Sequence, residues 1–549
     1  MGWPRWFLAL ATIASGFAQQ PLIYNRSILN AASFMPNRLP GGAIAQGSIF
    51  SIFGAHLGPT QGVQVSAFPL GTSLANVSIA VTQGATTTNA IPLYVSASQI
   101  NAIMPSGTPV GAVSVRVTYN GLKSNPMTAV VAQSALGVFS ARGTGFGPGI
   151  FFNYLSQSNQ PINSPRVSAQ PGQVITLYGT GLGPVPSDTV APTAGNLPTK
   201  VEVFVGGVSA GVQYSGRTPC CSGLDQIVFN VPSNAPQGCW VPVAVRTAGT
   251  TVSNLTTLSI TPDGSSCFTA NPPLPFVTAG NYGAFAVIRA TTQEDVGTKA
   301  AINVMADYQT SVVMNVSNSQ FPFHPLLSLP PAGTCTSYSL KGDLLRGDTL
   351  PGYVTTTMPV PLASSFTLTG PNGTQMFPGL LSPPLNYLGA ALSNNLVPSS
   401  LFLNPGSYQI SGTGNGSVGA FNASLSAPAP LTWTNRDQLL MVNRTQPLPI
   451  SWSGGGTGLT VAIIGFGVDL PTDTTTVFGC LAPDAATSFT VPAMAMANIP
   501  ATRANVLQSK SVIYLLSYPD SGLVGLNAAG LDKSYAAFTY LNGKTVIFQ

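Results

Sequence analysis

GQVITLYGTGLGP, Gly172–Pro184, decides how the chain is read. A short β-type run opens directly into Gly179, Gly181 and Gly183, as a phosphate-binding loop would. If the loop cradles phosphate, a helix should follow; if it only turns the chain, the next element is another strand. An earlier stretch, GSIFSIFGAHLGP (Gly47–Pro59), aligns Gly47, Gly54, Leu57, Gly58 and Pro59 with Gly172, Gly179, Leu182, Gly183 and Pro184. There His56 stands where Gly181 stands, and a phosphate cradle needs that glycine so that backbone amides can approach the anion. Both copies continue into Pro-rich sequence leading to another strand. The loop is a turn, with glycines supplying positive φ without steric cost.

The similarity continues in order. QINAIMP (Gln99–Pro105) lies over QIVFNVP (Gln226–Pro232), and Ser124-Asn125 over Ser253-Asn254. This predicts two copies of one module, at 27–132 and 133–261. Apolar residues rarely recur at helical spacing. Short runs of Val, Ile, Thr, Phe and Tyr closed by Gly, Pro or Asn recur instead, as in VSVRVTYNG (Val113–Gly121) and VEVFVGG (Val201–Gly207). The expected fold is all-β, built of sandwiches.

The run ILNAASF…GSIFSIFGAHLGP…PLYVSASQINAIMP, repeated as GQVITLYGTGLGP…VEVFVGGVSAGVQYSG…LDQIVFNVP, resembles the tandem TIG-like, immunoglobulin-like β-sandwich unit of a large set of secreted bacterial proteins of uncharacterised role. The resemblance covers roughly residues 27–261. This chain departs from it by inserting RTPCCSGLD (Arg217–Asp225) before the second Gln strand. A sandwich scaffold is what the resemblance implies; such units occur in adhesion, glycan-binding and enzyme chains, so no activity comes with it.

Pro-rich joints at NPPLPF (Asn271–Phe276) and LSAPAPLTW (Leu425–Trp433) divide the remainder into a β-rich region at 270–427 and a further sandwich at 428–549. Their combination resembles tails that follow the TIG-like pair in the same proteins. The beginning, MGWPRWFLALATIASGFAQQ, has Arg5 ahead of an apolar run and small residues at Gly16 and Ala18, which predicts a secretory signal over 1–18. No later run is long enough to span a membrane, LTVAIIGFGVDL (Leu459–Leu470) included. The expected location is secreted, extracellular or at the cell surface.

Only 6% of the 549 residues are charged, against about 25% in ordinary soluble proteins. With 20 basic and 15 acidic residues, no cationic run is dense enough for a nucleic-acid backbone. His56 and His324 are the only histidines and fall in different expected domains, so neither a hydrolase triad nor a zinc cluster is nominated. The only glutamates are Glu202 and Glu294, and no spacing marks a carboxylate pair. Glu202 alternates with Val201, Val203 and Val205 and should face water. Asp469 and Asp473 lack the regular ligand spacing of a calcium loop. No cofactor or metal is expected. Among the tryptophans beyond the signal, Trp433 shares a strand face with Leu431 and Trp452 with Ile450, which places both in a core. Trp240 lies opposite the Val241, Val243, Val245 face and is the candidate interface residue, against solvent, a neighbouring domain or a ligand.

Six cysteines in an exported chain should pair. If Gln226–Val231, Cys239–Arg246 and Val252–Ile260 form an antiparallel meander, Cys267 returns beside Cys239. That leaves adjacent Cys220 and Cys221 as each other's nearest partners and Cys335 with Cys480 to link the two C-terminal regions. Taken together, the sequence points to a non-enzymatic secreted or surface protein acting as scaffold, adhesion or binding surface for an extracellular protein or polysaccharide. The alternatives are a glycan-binding array and a hydrolase with its site in 262–549.

Overall fold

A computed structural model describes residues 19–269, 280–294, 302–316, 320–323, 328–341, 362–378, 385–392, 401–454, 458–502, 511–519 and 524–549. The segment 1–18 expected to be a signal, His324 and the joint at 271–276 lie outside them. The fold is all-β, with two immunoglobulin-like sandwiches in tandem followed by further sandwich layers. Among the described residues the α-helical content is a single turn, Ala493–Met496.

In the first sandwich, Leu22–Asn30, Ile49–Ala55 and Gln99–Ile103 form one layer, and Val77–Gln83, Gly111–Tyr119 and Met127–Ala132 the other. Thr86–Val95 serves both: one half pairs with Val77–Gln83, the other with Gln99–Ile103. Alternation along these strands puts Ile28, Phe50, Ile52 and Ile100 against Val77, Ile79, Val115 and Val117, all buried. The layer begins at Leu22, ahead of the expected start at 27.

The second sandwich repeats the plan. Val174–Thr180, Asp225–Asn230 and Val212–Arg217 lie side by side in that order in one layer, and Val201–Val205, Gly238–Thr247 and Thr256–Ile260 make the other. Its core joins Ile175, Leu177, Ile227 and Phe229 to Val203, Val243, Val245 and Leu258. Register repeats as well, since Phe53 faces Gln99 and Tyr178 faces Gln226. The Ser-Asn pairs do the same work twice. Asn125 accepts from Ile23 N at 2.8 Å and donates to Ile23 O at 3.0 Å, while Asn254 clamps Val138 in the same way at 2.8 and 2.9 Å.

One expected pairing is corrected. Asp225–Asn230 does not lie beside Gly238–Thr247; it belongs to the opposite layer. Its partners Val174–Thr180 and Val212–Arg217 occupy both its edges, so the chain crosses between layers instead of turning back in a hairpin.

The two C-terminal regions, expected to divide near 427, share one sheet. Thr334–Lys341, Thr474–Leu481, Leu459–Asp469, Ser511–Pro519, Lys533–Thr545, Gly280–Glu294, Ile302–Val316 and Leu385–Leu392 run across it in that order. A four-stranded sheet over 365–427 covers one part through Phe366, Leu368, Tyr408 and Ile410, packed against Phe285, Val287 and Phe538. A three-stranded sheet, Leu431–Trp433, Leu448–Gly454 and Ser488–Val491, covers another through Trp433, Ile450 and Trp452, against Ile463, Phe478 and Leu515. The covering layers follow the sequence joint and the sheet beneath does not. Parallel pairing of Gly280–Glu294 with Lys533–Thr545 stitches the two regions together.

Candidate functional site

The glycine loop that opened the sequence holds an anion, and the anion is its own. Gly181 N and Leu182 N donate to Asp225 Oδ2 at 2.6 and 2.8 Å. Arg217 Nη1 meets the other carboxylate oxygen, and its Nη2 donates to Gly47 O at 2.8 Å and Gly183 O at 2.7 Å. Asp225 is 0% exposed and Arg217 2%, so the pair is sealed between the two sandwiches. Desolvation pulls the Arg217 guanidinium down to about 10, which leaves it charged at neutral pH. In the first copy Leu57 N meets a neutral acceptor, Ala97 O, at 2.9 Å. His56 takes φ 55° where Gly181 takes 122°.

The three cysteine pairs Cys220–Cys221, Cys239–Cys267 and Cys335–Cys480 are bonded. Cys335 and Cys480 face each other across neighbouring strands of the shared C-terminal sheet. Trp240 is 4% exposed; its Nε1 donates to Pro322 O at 3.0 Å, and its ring packs with Phe146, Phe323, Tyr338 and Leu340. It joins the second sandwich to the C-terminal sheet. Trp433 and Trp452 are in the core. Glu202 is half-buried and held bidentately by Arg246 at 2.9 and 3.0 Å, which keeps its carboxyl below the usual value. Asp469 accepts from Thr472 N at 3.0 Å and caps a short turn. Among the described residues no three His, Cys, Asp or Glu side chains gather where they could hold a metal ion, and no helix is long and apolar enough to cross a membrane.

A groove of about 410 Å³ lies between the first sandwich and the C-terminal sheet. It falls in the usual range of ligand clefts, about 300–1,000 Å³. One wall is a β-bulge. The register of Leu22–Asn30 against Ile49–Ala55 shifts between Ile23 and Ile28, and the bulged Tyr24, Asn25, Arg26 and Ser27 line the groove. Ser27 Oγ donates to Tyr24 O at 2.8 Å and Phe53 O at 2.6 Å, which pins the bulge. The facing wall is the end of Thr334–Lys341 and the turn at Leu470–Thr472.

Arg26, Phe34 and Asp473 all line this groove, and all have positive φ, at 56°, 52° and 50°. Outside glycine that conformation is disfavoured, and for a ring as large as Phe34 it is an outlier. Tyr24 is 51% exposed. Among the described residues the side chains of Asn25, Arg26, Lys341 and Asp473 make no hydrogen bond or ion pair. The groove thus combines aromatic faces with uncommitted polar groups. Sequence reasoning did not nominate it, because its walls lie far apart in the chain and neither a bulge nor a positive φ at Phe34 has a local signature.

No protein-family model and no curated protein matches the chain. Many solved structures are similar to it in part, three of which follow. The plexin A4 full extracellular region shares 14% identity over 43% of this chain at a TM-score of 0.16, and this chain spans only 17% of that one. A tetra-tandem repeat in the extending region of a large adhesion protein shares 11% over 92% of this chain and 96% of that one, at 0.13. SGBP-B of the Bacteroides ovatus mixed-linkage glucan utilization locus, in complex with a mixed-linkage heptasaccharide, shares 11% over 85% and 90%, at 0.13. Scores of this size leave the chain's own geometry as the ground for its function.

Proposed function

We propose that the chain is a non-enzymatic extracellular protein whose tandem sandwiches, TIG-like units at 27–132 and 133–261, form a scaffold for binding a saccharide in the groove between the first sandwich and the C-terminal sheet. The observation that carries this is the groove itself: Tyr24 half exposed in the same groove as Asn25, Arg26, Lys341 and Asp473, whose side chains are uncommitted among the described residues. A pyranose presents an apolar C–H face and a rim of hydroxyls, and an aromatic ring flanked by polar groups answers both. Elsewhere buried charge serves the scaffold, as at Arg217–Asp225 and Arg289–Asp307. Three disulfides support an oxidising, extracellular setting.

The test is a saccharide array and calorimetry with soluble chain 19–549, neutral and charged oligosaccharides both included. Saturable binding to at least one oligosaccharide, lost in Tyr24→Ala, is expected. A blank array with folded protein rejects the reading. Turnover of a bound oligosaccharide would convert the binding protein into an enzyme.

A further inference from the structure

Building on the saccharide reading of the groove, we infer that it selects acidic saccharides, those bearing a carboxylate or sulfate, and that Arg26 and Lys341 hold the anionic group. The two cations come from different sheets, Arg26 from the bulge in Leu22–Asn30 and Lys341 from the end of Thr334–Lys341, and reach the same groove. Arg217, Arg246 and Arg289 each have a carboxylate partner, whereas Arg116 and Lys123, outside the groove, have none among the described residues. Arg26 and Lys341 have none among the described residues, although Asp473 lines the same groove. Two cations against one carboxylate leave the groove net positive in a chain where charge is only 6% of residues. Such an excess attracts an oxyanion and repels a second cation.

The backbone supports a dedicated site. Arg26 and Asp473 both sit at positive φ, 56° and 50°, so the bulge and the turn carry their charged groups in disfavoured conformations. Strain of this kind collects at ligand-binding positions. Phe34 and Phe53, with ring centroids 6.4 Å apart, and the half-exposed Tyr24 supply apolar faces beside the cations. A guanidinium on one wall, an ammonium on the facing wall and aromatic rings in the same groove suit a sugar ring with an anionic substituent.

The experiment uses chain 19–549 and three oligosaccharides of equal length: an oligogalacturonate, a sulfated dextran oligomer and neutral dextran. Calorimetry at low and physiological salt should give at least tenfold tighter binding for one or both acidic ligands, and the preferred one identifies the anion. Arg26→Gln with Lys341→Gln should erase that preference, bringing the acidic ligands to the affinity the same variant shows for neutral dextran. Arg116→Gln with Lys123→Gln, outside the groove, should keep it. Asp473→Asn, which accepts the same backbone conformation, should tighten acidic binding severalfold, a sign that mere loss of structure cannot produce. Equal affinity for all three ligands, or a preference that survives the double substitution, overturns the inference while saccharide binding stands. Absence of binding to every ligand overturns both.

Discussion

Asp225 shows what a buried charge does in a chain with so few. Its carboxylate receives two backbone amides and one guanidinium and so fills a loop whose letters look like a phosphate site. Asp307 repeats the arrangement, accepting from Phe402 N and Leu403 N at 2.6 and 2.8 Å while paired with Arg289. Removing one partner leaves the other charge buried and uncompensated. Asp225→Asn should therefore cost about 3–5 kcal/mol, read as a lower urea midpoint, and replacing Arg217 and Asp225 together with Met and Leu should cost less than Asp225→Asn alone. Tyrosines give a pH dependence. Tyr540, whose Oη donates to Pro428 O at 2.8 Å, is pushed by burial from 10.0 up to about 12. Its folded-state value is raised, so its contribution is complete below about pH 10 and is lost as pH climbs toward 12. Stability and the 295 nm ionisation signal should fall and rise together there, and Tyr540→Phe should flatten the slope. From sequence, the insertion RTPCCSGLD was visible as a departure from the repeat. That its last residue would serve the glycine loop was not, because the loop and Asp225 meet only through strand pairing.

At the scale of elements, the strongest reading came from the repeat. Alternating apolar residues fixed which faces pack, and the Q-I strands kept the same register in both copies. The Ser-Asn repeat was legible as letters, but its role as a clamp on a distant strand needs the fold. Asn254 is buried and clamps Val138 while also donating to Gly145 O at 2.7 Å; Asn125 makes its pair of bonds in a part-buried setting. Each buried group left unpaired costs about 1–3 kcal/mol, so Asn254→Ala should destabilise more than Asn125→Ala, with faster amide exchange around 137–146 in the first case. The Cys335–Cys480 bond lies across adjacent strands that are 145 residues apart in sequence. By chain entropy its loss should cost about 4–5 kcal/mol, and paired Cys335→Ala and Cys480→Ala substitutions should lower the melting temperature without altering strand content. Strand order was harder to read. The expected meander placed Asp225–Asn230 in the wrong layer, because a strand's letters do not say which sheet it joins.

For the whole molecule, the joint at Leu425–Trp433 falls where one covering layer gives way to the next, while the strands on either side of it belong to one sheet. Composition carries no information on a strand from beyond residue 500 returning beside one near 290. Residues 19–261 hold two closed cores, whereas 270–427 and 428–549 contribute strands to a common sheet. A fragment spanning 19–261 should unfold cooperatively in urea. Fragments 270–427 and 428–549, made separately, should show neither a cooperative transition nor native dispersion in their NMR spectra, and a folded 428–549 fragment would refute the shared-sheet account. The groove belongs to this same scale, since its walls meet only when the first sandwich docks on the C-terminal sheet. The position of Lys533–Thr545, hydrogen-bonded to Ser511–Pro519 on one side and Gly280–Glu294 on the other, also sets a timetable. As the ribosome releases the amino end first, the hairpin of Gly280–Glu294 and Ile302–Val316 waits with a bare edge until residue 533 emerges. The front half can finish folding in transit; the rear half stays dependent on a chaperone or on speed, and a premature stop codon near 530 would strand it with an adhesive edge exposed.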